Sequence, residues 1–181
     1  MTVLHELANE LRVSERTLRR AVAEGTIRAE RPSTRRLRLS EEERDWVLRH
    51  WPTVALLRSE LRTEPSVRLA LLFGSSARGR EHERSDLDLL VEVDAPTPGR
   101  MAALEERLSA ATGRNVQLVG VDRARAEPAL LVDALRDGRV LVDRDGLWAQ
   151  LKRSEAQLRR AAEARDQELV ERALQPLEAS R

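Results

Sequence analysis

The sequence predicts an α+β protein with a small N-terminal helix-turn-helix and wing, an α/β region with a mixed sheet, and a long C-terminal helix. Two short helical patterns joined by a tight turn precede an alternating basic segment. From Val67 onward, buried strand patterns alternate with helical ones. A polar segment rich in Ala, Arg and Glu runs from about Leu147 towards Leu174, which indicates one long helix.

The first two helices follow from apolar spacing and from capping residues. Residues 3–11 carry leucine and alanine at helical spacing. Ser14 is a suitable N-cap, and Gly25 a suitable C-terminal stop, for a second helix between them. Arginines lie on the side of this second helix away from its apolar stripe. A basic second helix is therefore expected in the helix-turn-helix.

A wing and two further helices are expected next. Apolar and arginine positions alternate over residues 26–39, which predicts a β-hairpin with a basic tip. Ser40 and Glu43 form a capping box for a helix over residues 41–50. Pro52 ends this helix or restarts it, and the next helix spans about residues 54–61.

The rest of the chain predicts a mixed sheet with intervening helices. Strands are expected over residues 67–73, 86–93, 115–121 and 139–142, and helices over 100–111 and 124–137. The resulting domains are a winged helix-turn-helix region with connecting helices at 1–64, an α/β domain at 65–145 and a C-terminal helix at 146–181. The apolar stripe of that last helix either packs on the α/β domain or forms a partner or homodimer surface.

Composition excludes several classes of protein. The 181 residues are enough for a substantial core, and the absence of cysteine excludes disulfides and thiolate zinc sites. No run approaches the roughly 18 apolar residues of a membrane span. The first residues carry Glu6 and Glu10 without an apolar stretch, so no signal peptide is expected. A cytoplasmic location without membrane contact is the expectation.

The charge is unevenly distributed along the chain. The net charge is +1, but residues 12–38 hold nine arginines against three glutamates, a local charge of +6. The remainder of the chain therefore carries −5. This asymmetry indicates one basic functional surface.

Two short motifs carry the clearest chemical signal. Gly74 and Ser75 end a strand in a turn whose backbone N–H groups and hydroxyl can hold a phosphate. A ten-residue spacer separates them from Asp86 and Asp88, which lie at i and i+2 on a strand and so share one face. Two carboxylates facing a phosphate-binding turn are what Mg²⁺ on a triphosphate requires.

This pattern resembles the nucleotidyltransferase superfamily, most closely its minimal nucleotidyltransferase branch, over about residues 67–148. The resemblance implies a nucleotidyltransferase fold and an NTP substrate whose phosphates bind at Gly74 and Ser75. It also implies that Asp86 and Asp88 are the catalytic ligands of Mg²⁺ or Mn²⁺. Members of this branch commonly act as antitoxins that modify a partner toxin, so a protein hydroxyl is the implied acceptor.

Two features near the motifs leave alternatives open. Arg78 either contacts the nucleotide phosphates or only solvates its helix. The family has a third carboxylate on the next strand, where this chain has Gln117. An amide can offer a neutral oxygen to a metal but cannot act as a base at neutral pH. Glu92, four residues past Asp88 on the same face, is a better substitute base than Asp122.

The N-terminal residues resemble winged helix-turn-helix regulators of the mercury-resistance-regulator (MerR) type. The matching segments are Leu7-Ala8, Val13 to Arg20 and Glu24 to Ile27. The resemblance implies double-stranded DNA as a partner, with Arg16, Arg19 and Arg20 in the major groove and Arg35, Arg36 and Arg38 on phosphates. The alternative is a small helical module whose arginines are solvated or bind RNA or protein.

Two functional hypotheses result. The first is a Mg²⁺-dependent nucleotidyltransferase fused to a DNA-binding module, which transfers NMP from an NTP to a hydroxyl of a toxin-like partner. The second is a DNA-binding transcriptional regulator whose transferase domain is degenerate and only binds nucleotide. Gln117 is the residue that separates them.

Overall fold

A computed structural model describes residues 2–33, 36–80 and 85–174 of the chain. The N-terminal elements are β1 (Thr2–Val3), α1 (Leu4–Leu11), α2 (Glu15–Glu24), β2 (Glu30–Ser33), β3 (Arg36–Leu39) and α3 (Glu41–Thr63). The following elements are β4 (Val67–Phe73), α4 (Gly74–Arg78), β5 (Leu87–Val93), α5 (Pro98–Thr112) and β6 (Val116–Gly120). The last are α6 (Val121–Ala126), α7 (Pro128–Asp137), β7 (Arg139–Asp143) and α8 (Leu147–Leu174).

The N-terminal region pairs α1 and α2 with a three-stranded antiparallel sheet in the order β1-β3-β2. Ser14 caps α2 by accepting a hydrogen bond from the backbone N–H of Thr17 at 3.1 Å. Gly25 ends the helix with a φ of 84°, a left-handed conformation that glycine adopts without a Cβ penalty. The strand β1 was not predicted, because two residues are too few to show alternation.

Helix α3 corrects the prediction of two helices separated at Pro52. The helix is continuous over 23 residues, with Pro52 in its interior. Proline removes one intrahelical hydrogen bond, but the helix buries Trp46, Val54 and Leu61 on both sides of it. Their packing in one core outweighs the local preference for a break.

The α/β region forms a four-stranded mixed sheet in the order β6-β5-β4-β7. Strand β4 is antiparallel to both β5 and β7, whereas β5 and β6 are parallel. Alternate residues of β4 enter different cores: Leu72 packs with α3 and α5, and Leu71 with α6, α7 and the start of α8. The single helix expected over residues 124–137 is instead α6 and α7, because Pro128 begins a new helix.

The N-terminal region shares a core with the sheet. Leu7, Leu18 and Leu39 belong to the same buried cluster as Leu72 and Leu89. Polar contacts extend this packing along the edge strand β7. The Val140 N–H donates to the Gly25 carbonyl at 3.2 Å, and the Thr26 hydroxyl donates to the Val140 carbonyl at 2.5 Å.

Helix α8 begins with the carboxylate of Asp143 accepting from the backbone N–H of Leu147 at 2.9 Å. Leu151 and Ala162 are buried, and Leu158 packs against the core beneath α7. The N-terminal half of α8 therefore packs on the α/β region. Across the described ranges, every helix is too short or too polar to cross a bilayer.

Candidate nucleotide and metal site

Gly74 joins strand β4 to α4 at a position that only glycine suits. Its φ is +73°, in the left-handed region. A Cβ at this position would lie 2.5 Å from Oδ2 of Asp88, well inside van der Waals contact. The absence of a side chain therefore lets the turn lie directly against one of the two aspartates.

Gly74 begins the five-residue helix α4, and a second glycine follows the end of this helix. Ser75 is partly exposed, while Ser76 and Ala77 are buried. Gly79, at a φ of 69°, ends the helix, and the Arg80 N–H donates to the Ser75 carbonyl at 3.0 Å. The start of α4 therefore lies beside Asp88.

Asp88 lies at the start of β5, the strand next to the turn, and Asp86 directly precedes this strand. Asp88 is opposite Phe73, the residue before Gly74, in the antiparallel register. Burial raises the pKa of Asp88, the charge of Asp86 raises it further, and Arg78 lowers it. The two carboxylates are thus close enough to repel each other.

Gln117 lies where the resemblance leads one to expect a third carboxylate. It is in register with Asp88 on the parallel strand β6. Its side-chain amide donates a hydrogen bond to Oδ2 of Asp86 at 2.5 Å. Gln117 therefore joins the two aspartates as a neutral neighbour.

These side chains suit a magnesium ion bound together with phosphates. Among the described residues, no cluster of three or more acidic, His or Cys side chains could hold a metal by itself. Mg²⁺ commonly uses one or two carboxylates and takes its other ligands from substrate phosphates and water. A cation at Asp86 and Asp88 would also relieve the repulsion that raises the pKa of Asp88.

Arg78 points from the end of α4 to α7. Its Nη1 lies 2.9 Å from Oδ2 of Asp137. Burial would raise the pKa of Asp137, but hydrogen bonds from Arg136 and Arg78 outweigh it and lower that pKa. Arg78 is therefore anchored beside the turn, near enough to Asp88 to lower its pKa.

Arg114 also contacts the surroundings of the site, although no sequence pattern predicted it. Its Nη2 donates to the Ser85 carbonyl at 2.7 Å and lies 3.4 Å from the Ser76 hydroxyl. The side chain thus ties the segment before Asp86 to α4. No local pattern marks it, because the residues it joins are 29 and 38 positions away.

Glu92 does not reach the aspartates, so the expectation that it substitutes for the third carboxylate is wrong. Glu92 is four positions beyond Asp88 along β5, a distance of about 13 Å. Burial raises the pKa of Glu92, and so does the charge of Asp122. Glu92 and Asp122 are therefore neighbours at the other end of the strand.

The arginines expected on DNA are only partly described. Arg16, Arg19 and Arg20 are exposed on α2, and Arg38 is exposed on β3. Within α2, Arg19 pairs with Glu15 at 2.5 Å and Arg20 with Glu24 at 2.6 Å. Arg35 lies outside the described residues, as does the side chain of Arg36.

Comparison with known proteins identifies the family. The model of the family described as "Polymerase beta, Nucleotidyltransferase" matches residues 56–146. None of the curated proteins matches the chain.

Several solved structures share the fold. A toxin-antitoxin structure with AMP-PNP has a TM-score of 0.57 at 22% identity, covering 67% of this chain and 98% of the other. A MntA-HepT toxin-antitoxin structure has a TM-score of 0.54 at 19% identity, covering 68% and 98%. A tri-AMPylated Shewanella oneidensis HEPN toxin in complex with MNT antitoxin has a TM-score of 0.55 at 19% identity, covering 69% and 98%.

The matches also show how this chain differs from those structures. The alignments cover almost the whole matched chain of each solved structure, whereas about a third of this chain lies outside them. The family match begins within α3 and contains the turn, both aspartates and Gln117. The fold is that of the antitoxin nucleotidyltransferases, and the chain belongs to the polymerase beta nucleotidyltransferase family.

Proposed function

We propose that this protein is a metal-dependent nucleotidyltransferase that transfers NMP from an NTP to a hydroxyl of a partner protein. The observation that carries this proposal is the contact between the Gly74 turn and Asp88, with Asp86 near enough to raise the pKa of Asp88. The groups assigned here to phosphate and to metal are thereby adjacent. Family membership supports the same reaction class.

Each residue of the site has a distinct part in this proposal. The backbone of Gly74 and Ser75, with the Ser75 hydroxyl, binds the nucleotide phosphates. Asp86 and Asp88 would hold Mg²⁺ or Mn²⁺, which when bound would neutralise phosphate charge. Arg78 adds positive charge from the side of α7, where Asp137 anchors it.

The reaction is an in-line displacement at the α-phosphorus. The acceptor hydroxyl oxygen forms a bond to this phosphorus, the bond to the bridging oxygen of the β-phosphate breaks, and pyrophosphate leaves. The hydroxyl proton passes to water, since the Gln117 amide cannot accept it. General-base catalysis typically contributes ~10²–10⁴-fold, so the expected turnover is slow but measurable.

The identity of the acceptor rests on the relatives. One solved structure with this fold contains a tri-AMPylated HEPN toxin with its MNT antitoxin, and another contains AMP-PNP. We infer by analogy that a toxin-like partner protein is the acceptor and that ATP is the first NTP to test. Such a reaction would take place in the cytoplasm.

Titration calorimetry with AMP-PNP tests the proposal directly. Wild-type protein should bind AMP-PNP with Mg²⁺ or Mn²⁺, and binding should disappear with EDTA. The double variant Asp86→Ala/Asp88→Ala should lose this binding, while the exposed Asp122→Ala should keep it as a matched control. Equal binding with and without metal, or none in the wild type, would contradict the proposal.

A second candidate function is DNA-binding regulation, with a transferase domain that only senses nucleotide. Two observations favour it: Gln117 replaces the third carboxylate, and α2 exposes Arg16, Arg19 and Arg20. In this proposal residues 1–64 form a winged helix-turn-helix region, 65–145 the nucleotidyltransferase domain and 146–181 the C-terminal helix. Duplex binding without any transfer would favour it over the first candidate.

A further inference from the structure

Two side chains from other elements donate hydrogen bonds to backbone carbonyls of helix α4. The indole Nε1–H of Trp46, on α3, donates to the Ser76 carbonyl at 2.9 Å. The Nε–H of Arg139, on β7, donates to the Ala77 carbonyl at 2.8 Å. These carbonyls lie in the turn that follows Gly74 and Ser75.

Arg139 is itself fixed by a buried ion pair. Its guanidinium binds both carboxylate oxygens of Glu43, at 2.6 and 2.9 Å, and both side chains are over 90% buried. The guanidinium carbon lies 3.3 Å from the centre of the Trp46 ring, an arrangement of the cation–π type. Two parallel hydrogen bonds and a stacked ring leave Arg139 with one orientation.

The glycine that ends α4 lies directly on the same indole. A Cβ at Gly79 would be 3.1 Å from Cδ1 of Trp46, tighter than ordinary van der Waals contact. At the other end of the turn, Gly74 touches Asp88. The turn is therefore bounded by Asp88 at Gly74 and by Trp46 at Gly79.

We propose that Trp46, Arg139 and Glu43 form a positioning cluster that holds the Gly74–Arg78 turn in the geometry that binds nucleotide phosphates. Glu43 and Trp46 precede residue 56, where the family match begins. The N-terminal region is thus a structural part of the nucleotide site. This inference rests on the proposed function, because the turn is assigned there to the phosphates.

The cluster holds the turn through its carbonyls, so its effect on nucleotide is indirect. The Ser76 and Ala77 carbonyls belong to the peptide groups that carry the N–H of Ala77 and of Arg78, so fixing these carbonyls fixes the backbone that directly follows Gly74 and Ser75. Loss of the Trp46 donor leaves the Ser76 carbonyl with only the longer bond from the Gly79 N–H, at 3.3 Å, and this favours a shifted turn. Nucleotide affinity should then fall more than overall stability does.

The test compares Trp46→Phe with Trp51→Phe in the full chain. Trp46→Phe keeps a ring beneath Arg139 but removes the donor to Ser76. Trp51 is a buried tryptophan on the same helix that lines the recess between α2 and α3. Arg139→Lys, which keeps the charge without the forked guanidinium, is the second variant.

Two measurements are made on each variant, well below its melting temperature. Calorimetry with Mg²⁺ and AMP-PNP should show about tenfold weaker binding for Trp46→Phe and Arg139→Lys than for Trp51→Phe. Hydrogen exchange should show faster exchange of the amides of residues 75–78 in the first two variants only. A merely structural role would lower the melting temperature without either change.

The outcomes separate this inference from the proposed function. Wild-type affinity and unchanged exchange at residues 75–78 in Trp46→Phe would overturn the inference. A wild type that binds no AMP-PNP overturns the proposed function, and the exchange rates then decide alone whether the cluster holds the turn.

Discussion

The side-chain amide of Gln117 donates to the carboxylate of Asp86, and Gln117 lies in register with Asp88 on the neighbouring strand. An amide here adds no charge to two aspartates that already repel each other. It also provides no general base that could accept the proton of the acceptor hydroxyl. The same residue therefore stabilises the pair of carboxylates and weakens the proposed reaction.

We expect Gln117→Asp to increase nucleotidyl transfer. A third carboxylate would tighten Mg²⁺ binding and provide a base, which typically contributes ~10²–10⁴-fold. Transfer of label from α-³²P-ATP to a co-expressed neighbour protein or to tRNA measures this. Gln117→Ala, which removes the amide without adding charge, is the matched control.

The opposite result would also be informative. If the wild type is already fast and Gln117→Asp changes nothing, the third carboxylate has been misplaced. If neither protein transfers label to any acceptor, the regulatory candidate gains over the enzymatic one.

Gly74→Ala should abolish metal-dependent nucleotide binding at a modest cost in stability. The new Cβ would displace the flexible carboxylate of Asp88, while the left-handed backbone costs about 1 kcal/mol. Gly113→Ala is the matched control, because Gly113 has a φ of +66° and open space around it. Thermal unfolding should show similar losses of stability in the two variants. AMP-PNP calorimetry should show abolished binding only for Gly74→Ala. Normal binding by Gly74→Ala would show that the contact with Asp88 is unimportant.

Glu92→Gln should stabilise the protein at neutral pH and leave transfer unchanged. Burial and the charge of Asp122 raise the folded-state pKa of Glu92 above its ordinary value of 4.5. The charged form therefore destabilises the folded state above that raised pKa, and this penalty is absent below pH 4.5. We expect a melting temperature higher by roughly 1–3 °C at pH 7.5, with the difference vanishing near pH 4.

Asp122→Asn is the companion variant, since it removes the neighbouring charge instead. Asp122→Asn should raise the melting temperature at pH 7.5 by part of the increase expected for Glu92→Gln. A large loss of transfer in Glu92→Gln would mean that Glu92 acts in the reaction despite its distance from Asp88.

If the N-terminal region binds DNA, binding should weaken steeply with salt. Removing one arginine from a DNA phosphate should reduce the slope of log K against log salt by about 0.9. Arg35→Ala/Arg36→Ala should therefore flatten the slope by about 2 and weaken all duplexes alike, whereas Arg16→Ala/Arg20→Ala should reduce discrimination between sequences.

The full chain is required for this measurement, because residues 1–64 share a core with the sheet. Fluorescence anisotropy with labelled duplexes reports the affinity. Arg159→Ala/Arg160→Ala on α8 is the control for a general loss of charge. No duplex affinity at low salt would contradict the DNA-binding proposal.

Local rules determined much of this protein from its sequence. The ten-residue spacer and strand alternation predicted that the Gly74-Ser75 turn faces Asp86 and Asp88, and the structure has Gly74 directly against Asp88. Capping residues predicted the start and end of α2. These features depend on residues a few positions apart, so spacing and backbone preference suffice to predict them.

Tertiary structure decided the features that depend on distant residues. Helix α3 continues through Pro52 because residues on both sides of the proline pack in one core. The length of β5 separates Glu92 from the aspartates. The pairing of Arg139 with Glu43 spans 96 positions, and that of Trp46 with Ser76 spans 30. Among 31 arginines, no local pattern distinguishes the one that is buried behind the turn. A buried charge is defined by the groups that surround it after folding, and these come from different parts of the chain.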